Sequence, residues 1–417
     1  MDKIRIKGNA DLFGSIDIPG SKNATLPIMV SCLLSKQNLF IKNIPDLQDV
    51  SSMLLLLQNF GVFYKKDKDT IKLNASELKN NLADYDLVRK MRASILVLGP
   101  LLTRFKEAKI SLPGGCAIGN RPIDMHLNSL SKLGIKFQIE NGFIIGKVSN
   151  RITGSIINLP FPSVGATENL LMTSSVADGV TIINNAAREP EIEDLAKALN
   201  SMGAKIYGAG NKTIKIEGVS SLKEANHTVM FDRIVAGTFI IAAVMLNKKF
   251  KVAKVNPKNL KSLINLLEKM NANLKVSKDL IEIFPTKQII SANLDTAPYP
   301  GFPTDLQAQI MSLMCIAKGQ SKLVENIFEN RFMHVSELNR LGAKIRIKND
   351  TAYIKGDTKF KGAQVMASDL RASVSLVLAG LCAKGETIVN RVYHLDRGYE
   401  KIEKTLGKCG PIITREK

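Results

Sequence analysis

The chain predicts an α/β (α+β) protein of two domains, each made of three copies of a β-α-β-α-β-β unit. Three observations carry this. First, Gly61, Gly134, Gly203, Asn271, Gly342 and Gly410 are spaced 73, 69, 68, 71 and 68 residues apart, most of them in phrases such as "SKLGIKF", "NSMGAKI" and "NRLGAKI". A fixed period of this size marks one supersecondary unit copied along the chain. Second, apolar stretches at helical spacing alternate with β-branched runs throughout, the pattern of mixed helix and sheet. Third, 417 residues exceed one ordinary core, and six copies divide evenly into two sets of three.

Each copy opens with an apolar helix, near Ser21, Met91, Val164, Asp232, Asp305 and Asp369. The sixth, "LRASVSLVLAGLCAKG", shows the type: small and apolar residues, then a glycine stop. A β-branched strand follows, such as Val180–Ile183 or Thr387–Val389. A loop leads to a second helix ("PEIEDLAKALNSMG", "HVSELNRLG", "YEKIEKTLGKCG"), and alternating strands such as "TIKIEG" and "TAYIKG" follow the closing residue. Asn271 replaces the closing glycine in the fourth copy and still tolerates a left-handed cap. Residues 1–20 read as a strand pair, Ile4–Ile6 with Ser15–Ile18, that completes the last repeat. The expected domains are therefore 21–229 and 1–20 plus 230–417. Pro411 is expected to perturb the final strand.

Net charge is +20, which points to anionic partners: nucleic acid or small oxyanions. Trp is absent and Tyr numbers only seven, with no interleaving of aromatic and basic residues, so small anions are favoured over RNA or DNA. The longest purely apolar run, Phe239–Leu246, is far short of a membrane span, and the opening "MDKIRIKG" has no apolar signal core. A cytoplasmic protein is expected. Five widely spaced cysteines without a CxxC, and four histidines (126, 227, 334, 394) without ligand spacing, argue against disulfide or zinc frameworks.

Two positions of the repeat hold basic residues where helix physics disfavours them. Helix starts carry Lys22, Arg92, Arg233 and Arg371; the loops before second helices carry Arg121, Arg188, Arg331 and Arg397. A helix N-terminus is partially positive, so a cation there makes sense when an anion shares the site. Seven of the eight are Arg in a lysine-rich chain, which fits bidentate recognition of phosphate or carboxylate.

The longest spacing belongs to the second copy, where Pro113–Pro122 ("PGGCAIGNRP") is inserted between a strand and the second helix. This Gly-rich loop, about residues 111–122 of the 21–229 domain, places Cys116 among cations, which favours thiolate and lowers the thiol from its usual value of about 8.5. Cys32, Cys315 and Cys382, in apolar helices, and Cys409 read as structural.

"GSKN" at Gly20–Asn23, "RKMRAS", "PGGCAIGNRPIDMHL", "AAREPEI", "FPTDLQAQ", "FENRFMHVSEL", "DLRAS" and "HLDRGYE" together resemble the UDP-N-acetylglucosamine 1-carboxyvinyltransferase (enolpyruvyl transferase) family over nearly the whole chain. The resemblance implies an enolpyruvyl transferase fold of two inside-out α/β barrel-like domains with the active site in the cleft between them. It implies a reaction that joins phosphoenolpyruvate to the 3′-hydroxyl of UDP-N-acetylglucosamine by addition and elimination, releasing phosphate, as the first committed step of peptidoglycan synthesis. The substrates are small molecules, no metal or organic cofactor is implied, and the sequence leaves the oligomeric state open. In the family pattern Cys116 matches the proton donor and the target of fosfomycin, and Asp305 the base near the sugar hydroxyl; Asp305 reads equally as a helix cap. Lys22, Arg121 and Arg397 match the phosphoenolpyruvate clamp, with Arg331 and Arg371 nearby and Asn23 at the reacting centre. Lys22 and Arg397 are counted with Cys116 and Asp305 as catalytic. Asn23, Arg92, Arg121, Pro122, Ile123, Asp124, Met125, Asp305 and Ile327 match contacts to the sugar nucleotide, and Ser163, Val164 and Gly165 a helix start facing its diphosphate. Asp369 matches a second functional acid and Glu189 a residue near the cleft. The rival readings are the shikimate-pathway enolpyruvyl transferase, which lacks the Cys loop, and an RNA-binding or RNA-end-processing protein on a related fold.

Overall fold

The computed structural model describes residues 2–89, 91–112 and 123–417. The insertion with Cys116, Arg121 and Pro122 lies outside the described residues. Two compact units are formed: one holds the described residues up to Ile18 together with Phe231–Lys417, and the described residues of the other run from Pro19 to Met230.

Among the described residues each unit carries three four-stranded sheets of one design. The strand after the first helix of a copy lies between a parallel edge strand and an antiparallel hairpin. In the third copy, Val180–Asn184 pairs in parallel with Ile156–Asn158 and antiparallel with Thr213–Glu217, whose outer neighbour is Lys205–Tyr207. The parallel pair needs a crossover, and the first helix supplies it. Buried and open residues alternate along these strands, as in Thr213–Glu217, where Ile214 and Ile216 point inward. Each sheet therefore buries one face only.

The chain termini close the sheets in a way the sequence pattern missed. The edge strand of the first copy is Ala225–Thr228, drawn from the end of the third. In the fourth copy that place is taken by Ser15–Asp17, beside Phe250–Ala253. Lys3–Lys7 instead enters the sixth sheet, between Glu386–Asn390 and Ile413–Glu416. The two N-terminal strands are thus not a pair: each fills a vacancy in a different sheet, because ladder bonds are obligatory wherever a strand is buried. Pro411 does not disturb the last strand, which starts two residues later and pairs from Ile413 to Glu416.

Inside the sheets lie the first helices of the copies. In one unit these are Lys22–Val30, Leu98–Phe105 and Val164–Ser174; in the other, Arg233–Leu246, Gln307–Ile316 and Leu370–Cys382. The second and fifth begin with 3-10 turns, Arg92–Val97 and Thr304–Leu306. All residues of Arg233–Leu246 except the last are buried, as a helix apolar all round requires. Small residues make room: a Cβ on Gly237 would come within 2.6 Å of Leu306 Cδ1. The second helices bury one stripe only; Lys261–Lys269 buries Leu263, Ile264, Leu266 and Leu267 and leaves its lysines outside.

All six closing residues are left-handed, with φ of 99, 90, 100, 67, 101 and 116° in chain order. Gly203→Ala is therefore expected to lower stability by about 1–2 kcal/mol through backbone strain alone, since nothing crowds that position closer than Lys223 Cγ at 4.0 Å. Gly407→Ala, inside the helix Ile402–Gly407 and in open space, should be neutral or stabilising by up to about 1 kcal/mol. Urea denaturation of the two variants checks the contrast.

Candidate active site

Helices buried on nearly every side can offer only their ends to a ligand, and Lys22, Arg92, Arg233 and Arg371 sit at those ends. In the Pro19–Met230 unit, Ser21 caps Lys22–Val30 by accepting from the Ala24 N–H. Lys22 follows, buried, and its Nζ lies 3.0 Å from Asp49 Oδ2. Asp49 stands in the first turn of Gln48–Asn59, where a carboxylate also suits the helix dipole. Asn23 is half-buried on the same first turn.

Ser163 caps Val164–Ser174 through the Ala166 N–H, which leaves the helix start at Val164 and Gly165 half-open. Gly165 lies against the ring of His126: a Cβ there would be 3.0 Å from Cε1. His126 belongs to Asp124–Ser131 and is fixed by Asn169, whose Nδ2 is 2.9 Å from its Nδ1 and 3.2 Å from the Ile95 carbonyl. Asn169 Nδ2 donates, so Nδ1 accepts and the proton sits on Nε2. Burial, then the charge of Arg92, pushes the His126 imidazole down to about 4. His126 thus ties together the segments carrying Arg92, Ile123–Met125 and Ser163–Gly165. Within these, Ile123 is buried, Arg92 and Met125 are half-buried and Asp124 is exposed. Glu189, at the N-cap of Pro190–Ser201, sits with Glu191 near Glu168, whose carboxyl is pushed well above its ordinary value by burial and by those two charges.

A pocket of about 820 Å³ in this unit is lined by Leu34, Arg104, Ile152 and Val176, at the other ends of the same helices. It contains none of the predicted site residues.

In the Phe231–Lys417 unit, Asp232 and Asp369 cap their helices, each accepting two backbone N–H groups. Arg233 is buried 5.8 Å from the Tyr299 ring centroid. The cap reading of Asp305 is not what the structure shows. Asp305 lies within the Thr304–Leu306 turn and caps nothing; its carboxylate spans two buried guanidiniums instead. Arg331 Nη2 donates to Oδ1 at 2.8 Å and Arg371 Nη2 to Oδ2 at 2.9 Å. Burial pushes this carboxyl up, but Arg371 and Arg331 outweigh it and hold it well below the usual range. Arg397 is half-buried at the end of Val392–Arg397, and Ile327 is half-buried in the loop leading to Arg331. His334, behind Arg331, is pushed down to about 4 by burial, against the charge of Asp369.

Each unit thus gathers its own set. Lys22, Asn23, Arg92, Ile123–Met125, Ser163–Gly165 and Glu189 belong to one; Asp305, Ile327, Arg331, Asp369, Arg371 and Arg397 belong to the other. Sequence reasoning passed over Asp49, His126, Thr304 and Glu325, which touch these residues. No spacing signalled the contacts of Asp49 with Lys22, His126 with Gly165, Thr304 with Arg331 or Glu325 with Thr304, because the partners are more than twenty residues apart. The structural reading of Cys32, Cys315 and Cys382 agrees with their surroundings, since burial raises all three thiols, the latter two to about 12. Among the described residues no cluster is fit to hold a metal, and no helix is long and apolar enough to cross a membrane.

Six repeats around buried helices, with cations at the helix ends, define an enolpyruvyl transferase fold. The enolpyruvyl transferase NikO from Streptomyces tendae superposes with a TM-score of 0.90 over 99% of this chain and 98% of its own, at 23% identity. EPSP synthase from Acinetobacter baumannii superposes with a TM-score of 0.77 over the full length of both chains, at 18% identity. A family model for EPSP synthase (3-phosphoshikimate 1-carboxyvinyltransferase) matches residues 6–406. Curated relatives named UDP-N-acetylglucosamine 1-carboxyvinyltransferase are 49% identical in Pelagibacter ubique, over 100% of both chains, and 50% identical in Endomicrobium trichonymphae, over 99% of both. The chain belongs to the UDP-N-acetylglucosamine 1-carboxyvinyltransferase family.

The two low histidines predict a pH dependence. Folded His126 and His334 take up protons only near pH 4, whereas unfolded histidine does so near 6.5. The unfolded chain therefore binds more protons between those values, and stability falls as pH drops through that window, by at most about 1.4 kcal/mol per pH unit for each histidine. Asp305 works in the same direction at lower pH: its contribution is full above the ordinary carboxylate range and is lost as pH falls through its depressed value. Urea midpoints between pH 7 and 5 should decline, and the His126→Gln variant should show a shallower slope.

Proposed function

We propose that this chain transfers the enolpyruvyl group of phosphoenolpyruvate to the 3′-hydroxyl of UDP-N-acetylglucosamine and releases phosphate, a cytoplasmic step that commits the sugar nucleotide to peptidoglycan synthesis. The observation that carries the reading is full-length identity of 48–50% to relatives bearing that activity's name. The charged helix ends support it, since the reaction needs cations for a phosphate and a carboxylate and a base for a hydroxyl.

In this reading the sugar oxygen attacks C2 of phosphoenolpyruvate while its proton passes to Asp305. The methylene carbon C3 takes a proton from Cys116, giving a tetrahedral adduct. The Cys116 thiolate then takes up a C3 proton as the C2–O bond to phosphate breaks, the proton held by Asp305 leaves with the phosphate, and the double bond is restored in the product. Lys22, Arg121 and Arg397 anchor the phosphate end, with Arg331, Arg371 and Asn23 around the reacting carbon. Arg92, Ile123–Met125, Pro122 and Ile327 hold the sugar nucleotide, and the Ser163–Gly165 helix start faces its diphosphate, as such termini do. Asp369 and Glu189 complete the charge environment.

Asp305 clasped by two arginines is a weak base, because its proton affinity is held down. A substrate carboxylate arriving at Arg331 and Arg371 would take up their donors and let the Asp305 value rise toward the ordinary range. Substrate binding would then itself prepare the base.

Phosphate release with phosphoenolpyruvate and UDP-N-acetylglucosamine tests the reading. The family model's name favours one second reading, with shikimate 3-phosphate as acceptor; turnover with that acceptor alone would replace the proposal. Asp305→Asn is expected to lower kcat by about 10²–10⁴-fold, the usual worth of a positioned base. Fosfomycin should add once to Cys116 in the presence of the sugar nucleotide, as intact mass would show; an unmodified chain would remove Cys116 from its assigned role.

A further inference from the structure

Behind the Asp305 clasp lies a buried carboxylate that the reaction scheme does not use. Glu325, 3% exposed, sits one residue past the strand Gln320–Val324. Its Oε1 accepts from Thr296 Oγ1 at 3.0 Å and from the backbone N–H groups of Ile327 at 2.9 Å and Phe328 at 3.3 Å. Its Oε2 accepts from Thr304 Oγ1 at 2.8 Å. All four donors are neutral. A hydroxyl has one proton, and Glu325 takes that of Thr304, so the lone pairs of Oγ1 are turned toward Arg331, whose Nη1 donates to it at 3.0 Å.

Arg331 is thereby held on two sides through one carboxylate. Thr304 fixes the edge of its guanidinium, and the Phe328 ring covers the face at 5.3 Å from Cζ. The second nitrogen, Nη2, is then aimed at Asp305 Oδ1. The chain of contacts runs Glu325, Thr304, Arg331, Asp305, Arg371. Glu325, Arg331 and Arg371 are each less than a tenth exposed, so water cannot replace a lost partner cheaply.

We propose that Glu325 and Thr304 are positioning residues for enolpyruvyl transfer, setting the guanidinium of Arg331 in register with Asp305 and with the carboxylate of the incoming substrate. The inference rests on the functional reading above, in which Arg331 anchors phosphoenolpyruvate. Both act through Arg331. A misaligned guanidinium should weaken phosphoenolpyruvate binding more than it slows the bound complex, so the effect belongs mainly in KM for that substrate.

The test is a double-mutant cycle in the full chain with Thr304→Val and Glu325→Gln, measuring KM for phosphoenolpyruvate, kcat and thermal midpoint. Each single variant is expected to lose about tenfold in kcat/KM, the worth of one hydrogen bond to a charged group. The double variant should lose no more than the worse single, because both break one relay. Thr304→Ser should restore kcat/KM to within about twofold, since it keeps the hydroxyl. Thr296→Val removes a donor from Glu325 on the side away from Arg331, so it should lower the thermal midpoint without moving KM. Independent, multiplicative losses, or a KM shift in Thr296→Val equal to that in Thr304→Val, would mean a merely structural role and overturn the inference. If Glu325→Gln does not fold, the comparison of Thr304→Val with Thr304→Ser decides alone: equal kcat/KM in the two overturns it. Turnover by the unaltered chain combined with any of these results leaves the functional reading standing; no turnover by the unaltered chain overturns both.

Discussion

Near-complete burial of the first helix in each copy is the constraint on which the remaining structure depends. A helix such as Arg233–Leu246 has no polar face to show to water. It must be enclosed by sheets that are themselves apolar on one side only, and the six four-stranded sheets do this with a single design. The consequence for chemistry is geometric. Enclosed helices expose backbone donors only at their N-termini, and it is there that Ser21, Ser163, Asp232 and Asp369 cap and the basic residues gather.

Cations placed at such ends are costly to bury alone, and the fold answers with carboxylates from elsewhere in the chain. Asp49 meets Lys22, and Asp305 meets both Arg331 and Arg371. Buried pairs of this kind add little to stability, since desolvation offsets much of the attraction. They do hold long side chains in one orientation. Under the proposed function, the low proton affinity of Asp305 and its role as a base belong to one process, with the arginines common to both.

Comparison among the copies separates scaffold from site. What all six share, the left-handed closing residue and the sheet design, is architecture. What varies is the residue at each helix start: Lys22 with Asp49, Asp305 within a 3-10 turn, Gly165 against the His126 ring. A repeat fixes positions in space while leaving the side chains at those positions free to diverge, which suits a site assembled from several copies.

The sequence by itself determined the period, the helices and strands of each copy, and the left-handed closures, including Asn271 at φ 67°. It also singled out the basic helix ends. These are local properties: hydrophobic spacing and the steric demands of a positive φ act over a few residues, so they can be read from a few residues. Tertiary structure alone decided that Lys3–Lys7 and Ser15–Asp17 join different sheets, and that Asp305 clasps arginines instead of capping a helix. The partners of Asp305 lie 26 and 66 residues away, and Glu325 reaches Thr304 across 21. Contacts at such separations depend on how whole elements pack, and no spacing along the chain encodes them.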